Sequence, residues 1–145
     1  MIGSIVRSVG AAIVGLIPAM FFIVGVEGVS SILYPLPPGV DPADLDACKA
    51  HVAQLPAGAF LIAVTGWGLG TLLSSWLATR VGPGRHPAHG IVVGSILLVA
   101  AVANMLMLPY PIWFWVSNLV VLPACFYVGA KLGRARSLNR RRAAA

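Results

Sequence analysis

Four stretches of this chain are apolar for long enough to cross a bilayer, and polar, proline-rich breaks separate them. They run over residues 9–33, 57–78, 91–108 and 113–132. Each approaches or exceeds the ~20 residues that a spanning helix needs. The first break, residues 34–56, carries Pro35, Pro37, Pro38, Gly39, Pro42, Pro56 and all three aspartates. The second, from Arg80 to His89, carries Gly82, Pro83, Gly84 and Pro87, and the third is the short Pro109-Tyr110-Pro111 reversal. Such residues end helices and turn the chain. The pattern predicts an all-α membrane protein with four transmembrane helices in two antiparallel hairpins. Residues 1–133 then form a single transmembrane domain, and residues 134–145 a basic cytoplasmic tail.

Within the first break a short amphipathic helix is expected over 42–55. Asp41 can cap it, Pro42 suits its first turn, and Asp44 and Asp46 complement its dipole. Leu45, Cys48, Val52 and Leu55 fall on one face, opposite Asp46, Lys49 and Gln54. This helix should lie on the outer membrane surface or cap the bundle.

Composition agrees with a lipid setting: 59% of the 145 residues are hydrophobic and 10% charged, with a mean hydropathy of +0.90. That charge content is too low to cover a soluble domain of this size. The net charge of +6 comes mainly from the end of the chain, where six of the ten basic residues lie: Lys131, Arg134, Arg136, Arg140, Arg141 and Arg142. A basic tail beside an apolar segment reads as a topology signal, and no soluble module accompanies it to make nucleic acid a partner. Arg7, the Arg80 and Arg85 loop and the tail share one side, leaving Lys49 among aspartates on the other. Both termini are therefore expected in the cytoplasm, with the protein in a bacterial inner membrane. The apolar run from Val9 to Val26 exceeds a signal-peptide core and reads as a retained anchor. Arg134, Arg136, Arg140, Arg141 and Arg142 are candidate contacts for anionic lipid headgroups at the cytoplasmic face. Tyr34, Tyr110, Trp113 and Trp115 suit the outer interface and Trp76 the inner one.

Small residues mark where helices can approach closely in lipid. Ala59, Ala63, Gly66, Gly70 and Ser74 form one stripe, Gly90, Gly94 and Ala101 another, and Cys125, Gly129 and Gly133 a third. Extending the last two by helical periodicity brings Asn104 and Asn118 to the bundle interior. Pro18 and Pro123 fall inside spans, where neighbouring helices can satisfy the backbone groups they disturb.

Glu27 is the sole acidic residue within a predicted span, and an ionisable group there is costly enough to need a reason. Thr65, Asn104 and Asn118 fall at comparable depth in the outer half. The expectation is a polar layer of Glu27, Thr65, Asn104 and Asn118 beneath the outer loop. It either ties helices together or binds a proton, cation or cationic ligand. His86 and His89 have no third metal ligand nearby and read as loop residues, as does His51. Cys48 and Cys125 have neither metal-site nor redox-motif spacing, and their positions in the outer loop and mid-helix place them too far apart to pair. No catalytic set, metal site, phosphate loop or nucleotide fingerprint can be assembled, so neither an enzyme nor a cofactor is expected.

With Gly25-Val-Glu-Gly-Val-Ser-Ser-Ile-Leu-Tyr-Pro, Pro37-Pro-Gly-Val-Asp-Pro and Leu108-Pro-Tyr-Pro-Ile-Trp-Phe-Trp, the chain resembles small four-helix bacterial membrane proteins of unknown function. The resemblance covers nearly the whole chain and implies a fold type without an activity. It is also similar to small multidrug resistance transporters in having four short helices and one membrane glutamate in the first. It departs from them in its long outer loop, its off-centre glutamate and its strong charge bias, and that family's function is not carried over. Two functions follow from the residues. One is a non-enzymatic accessory or scaffold subunit of a membrane assembly, associating with other subunits or itself. The other is a small proton- or cation-coupled carrier built as an oligomer around Glu27.

Overall fold

A computed structural model of the chain describes residues 2–142, with the side chains of Ile2, Ser4 and residues 136–142 outside the described set. Its elements are α1 (Ile2–Leu33), α2 (Leu45–Val52), α3 (Ala57–Val81), a 3-10 turn (Pro83–Arg85), α4 (Ala88–Met107) and α5 (Ile112–Arg142). The molecule is all-helical, and α1, α3, α4 and α5 are long and apolar enough to cross a membrane.

Helix ends follow local chemistry more than the limits of the apolar runs. Helix α3 runs on through Thr79-Arg80-Val81 until Gly82 and Pro83 stop it. Helix α5 passes Gly133 and continues to Arg142, through residues expected to form a tail, because nothing after Gly133 breaks a helix. Helix α2 begins later than the expected 42–55. Its cap is Asp44, whose carboxylate accepts from the amides of Asp46 and Ala47 at 3.0 and 3.2 Å. Asp41, expected in that role, accepts instead from Ala43 N–H at 2.8 Å and shapes the preceding turn.

Glycines set the helix contacts. A Cβ on Gly15 would lie 2.6 Å from that of Ala78, one on Gly70 would press on Phe22 and Ala19, and one on Gly66 would strike Val26. Residue numbers rise on α1 as they fall on α3, so the two run in opposite directions. Gly68 faces Val121 and Cys125, Gly129 faces Leu72 and Ser75, and Gly133 faces Trp76 and Thr79, so α3 and α5 run parallel. Gly94 against Phe126 and Gly90 against Ala130 make α4 and α5 antiparallel. In lipid this close backbone approach supplies the dispersion that hydrophobic burial supplies in water.

The two ends of the bundle are filled differently. Between α3, α4 and α5 towards Gly82, the centre is small: Ser74, Ser75, Ala78 and Thr79 are all fully buried. At the other end it is aromatic. Phe60, Met105 and Phe114 form the buried cluster, with Val52, Leu55, Trp67 and Tyr110 packed against it. Tyr110 stacks on Phe114 with centroids 4.6 Å apart, while Phe60 and Trp67 each meet Phe114 at 5.6 Å.

Beside Pro18, the Ala19 amide donates across to Ser74 Oγ at 2.9 Å, so a neighbouring helix supplies an acceptor next to the proline. At the glycine-rich end, His89 links the loop to α1. Its Nδ1 lies 3.0 Å from the His86 carbonyl and its Nε2 3.1 Å from Ser8 Oγ. A carbonyl only accepts, so Nδ1 carries a proton and donates to His86, while Nε2 pairs with the Ser8 hydroxyl. The sequence reading gave His89 no such part.

Candidate functional site

Helix α1 packs chiefly on α3 and only lightly on α4. The wedge between α1 and α4 faces small residues, among them Ala19, Ala63, Gly66, Ala100 and Ala101, which cannot fill it. What remains is a cleft of about 440 Å³, floored by α3, walled by α1 and α4, and roofed by Val52, Leu55 and Tyr110. Three lining residues, Glu27, Ala100 and Asn104, are exposed and mark its open side. Its depths, between Ala19, Leu97 and Leu122, are apolar apart from the buried Thr71.

Polar groups gather near the roof. Tyr110 donates from its hydroxyl to Asn104 Oδ1 at 2.9 Å, which fixes that oxygen as the acceptor and leaves the Asn104 amide nitrogen free. Glu27 and Ser30 line the same cleft from α1. Burial, and secondarily the negative charge of Glu27, push the Tyr110 phenol up to about 12. It is therefore a neutral donor at physiological pH. Among the described residues the one salt bridge is Lys49–Asp46, and no cation accompanies Glu27.

The structure divides the four residues expected to form a polar layer. Glu27 and Asn104 share the cleft. Asn104 is exposed at its edge and not in the bundle interior: three residues beyond Ala101 is about 60° short of a full helical turn, which carries it off the buried stripe. Asn118 is fully buried, donates to the Phe114 carbonyl at 2.9 Å, and leaves its Oδ1 without a partner among the described residues. Thr65 lies outside the cleft. Its hydroxyl bonds back to the Leu61 carbonyl at 2.8 Å, and it lines a separate, more open groove with Phe21, Phe22 and Leu69.

Tyr110 is the site residue that the sequence reading missed, having been assigned to the membrane interface. Its setting between Pro109 and Pro111, six residues after Asn104, was the available signal: a rigid reversal turns the ring back over the helix it follows. Of the basic residues expected to touch headgroups, Arg134 is exposed. The side chains of Arg136, Arg140, Arg141 and Arg142 lie outside the described set. Cys48 and Cys125 are free thiols, and among the described residues no three His, Cys, Asp or Glu side chains come together as a metal site. Comparison with protein-family models, curated proteins and solved structures gives no match to this chain.

Proposed function

We propose that the protein is a non-enzymatic subunit of a membrane assembly, built as two antiparallel hairpins in a bacterial inner membrane with both termini in the cytoplasm. The observation that carries this reading is the one-sided support of α1. Its close contacts are with α3, and the flank towards α4 is a cleft. Helices in lipid associate by close packing, and an unfilled flank of this kind is where a further membrane segment seats. Helix α2 is the outer amphipathic element of this arrangement. Arg134, with Arg136, Arg140, Arg141 and Arg142, holds anionic headgroups on the cytoplasmic side, each worth about 1 kcal/mol near such a surface.

Site-directed photocrosslinking in native membranes tests the reading. A photoreactive residue at Ile23 or Ala100, both lining the cleft, should join the chain to one stoichiometric membrane partner that also co-purifies in mild detergent. One at exposed Val99, outside the cleft lining, should not. Crosslinks to lipid alone from all three positions would overturn it.

A second reading has its own observation in Glu27, a carboxylate lining the cleft with no cation beside it among the described residues. In this reading the protein is a small proton- or cation-coupled carrier working as an oligomer. Glu27→Gln keeps shape and hydrogen bonding but cannot exchange a proton. Loss of ion flux in reconstituted vesicles with the fold intact supports the carrier; flux unchanged by the substitution contradicts it.

A further inference from the structure

The loop between α3 and α4 carries a set of bonds that neither reading above uses. The Ala88 amide donates to His86 Nδ1 at 3.2 Å. His86 thereby does for α4 what serine or aspartate does at other helix starts, occupying one of the amides that the first turn leaves open. Pro87 keeps His86 extended, at φ −76° and ψ 131°. Its carbonyl then takes both the backbone N–H of His89 at 3.2 Å and the ring Nδ1–H at 3.0 Å. So held, the His89 ring packs onto Gly82, where a Cβ would lie 2.7 Å from it, and Nε2 meets Ser8 of α1 at 3.1 Å. Arg85, one residue before His86, has a φ of 51°, a left-handed conformation that a side-chain-bearing residue keeps only while its surroundings hold it. Among the described residues the charged groups at this end are all basic: Arg7 beside Ser8 on α1, Arg80 on α3, Arg85 in the loop, and Lys131 and Arg134 on α5 just beyond the contact of Ala130 with Gly90. The four acidic residues, Glu27, Asp41, Asp44 and Asp46, lie at the other end, near the cleft and α2.

A neutral imidazole can accept at Nδ1, whereas a protonated one carries N–H on both nitrogens and cannot. Histidine passes between these forms between about pH 5 and 8. Protonation of His86 removes the cap of α4 and sets a positive charge at the positive end of the helix dipole. It also adds that charge to a basic cluster with no carboxylate to offset it. Protonation of His89 leaves its own bond possible, because the Ser8 hydroxyl can turn from donor to acceptor. We infer that the loop between α3 and α4 is a pH-sensitive latch on α1, with His86 as its switch. With His86 neutral, the loop caps α4 and holds His89 on Ser8. With His86 protonated, the first turn of α4 frays, the turn at Arg85 relaxes and the start of α1 is released. The latch closes the end of the bundle away from the cleft, and it depends on neither functional reading. In the proposed orientation it responds to the cytoplasmic side.

The test uses the full-length protein in phosphatidylcholine nanodiscs. Amide hydrogen exchange is measured at about pH 8 and about pH 5.5, either side of the ordinary histidine range, and each rate is divided by the intrinsic rate at that pH. In the wild type, protection over residues 88–92 and 8–12 should fall at least about fivefold at the lower pH, within the range that a lost cap produces. His86→Asn puts a carboxamide oxygen within reach of the Ala88 amide, and that oxygen accepts at either pH. This variant should keep the protection of both segments in acid. Ser8→Ala should free residues 8–12 at both pH values and leave the response of residues 88–92 in place. Equal protection at the two pH values in the wild type would overturn the inference. So would a response that does not reach residues 8–12, or one that His86→Asn leaves undiminished. A further measurement needs no variant: nitrogen spectra of isotope-labelled histidine at about pH 8 should show the His86 proton on Nε2, as the bond from Ala88 requires. A proton on Nδ1 there would contradict the cap and with it the latch.

Discussion

Tyr110 shows how a single side chain can serve both structure and site. Its ring stacks on Phe114, its hydroxyl donates to Asn104 Oδ1, and its phenol is pushed up to about 12 by burial and by Glu27. Because the folded value lies above the unfolded one near 10, the folded state holds this proton more tightly. The resulting stabilisation is complete below about pH 10 and lost as pH rises through about 12. The phenolate absorbance difference between wild type and Tyr110→Phe should therefore show a midpoint near 12, moving down in a Glu27→Gln background. A midpoint near 10 in the wild type would mean that the ring is solvated. Removing the hydroxyl should cost about 0.5–1.5 kcal/mol of stability. Gly133 gives a second residue-level test, since an added Cβ would lie 2.7 Å from both Thr79 Cβ and the Trp76 carbonyl oxygen. Gly133→Ala should cost about 1–3 kcal/mol, seen as a lower melting temperature in mild detergent. Gly10→Ala, with nothing within 4 Å, should leave the melting temperature nearly unchanged.

At the scale of elements, the four long helices were legible because an uninterrupted apolar run carries its own length criterion. Their ends were less so. The apolar limit near Leu132 says where lipid could stop, whereas α5 remains helical through Arg142. The cap of α2 was misplaced by one acidic residue, since Asp41 and Asp44 are equally suitable in isolation and the three-dimensional turn chooses between them. Asp44→Ala should destabilise α2 locally by about 1 kcal/mol, read as faster amide exchange over residues 45–52 with the long helices unaffected. The site was only half legible for a related reason. Depth along a helix can be counted from sequence, and that count gives Glu27, Thr65, Asn104 and Asn118 a comparable one. Rotation about the axis depends on which neighbour each helix chooses, and that places Thr65 outside the cleft and buries Asn118. The bond between His89 and Ser8, 81 positions apart, was invisible in the sequence because the loop had to fold back onto α1 first. Ser8→Ala and His89→Ala should each speed amide exchange at the start of α1. The double variant should do little more than either alone, as expected for two halves of one interaction.

At the scale of the molecule, four candidate spans are tied tightly at the glycine-rich end and held apart at the other by aromatics and a cleft. The proposed orientation puts Arg7, Arg80, Arg85 and the basic end of α5 in the cytoplasm, and Lys49 with the three aspartates outside. It would place the Glu27 cleft in the outer half of the bilayer. Labelling of intact expressing cells with a membrane-impermeant maleimide tests this most directly, with Cys48 and Cys125 replaced by serine and alanine and single cysteines introduced at exposed Ala50 and Ala88. The account predicts that Ala50→Cys reacts in intact cells and Ala88→Cys only after permeabilisation. Reaction of Ala88→Cys in intact cells, with Ala50→Cys protected until the membrane is opened, would contradict it.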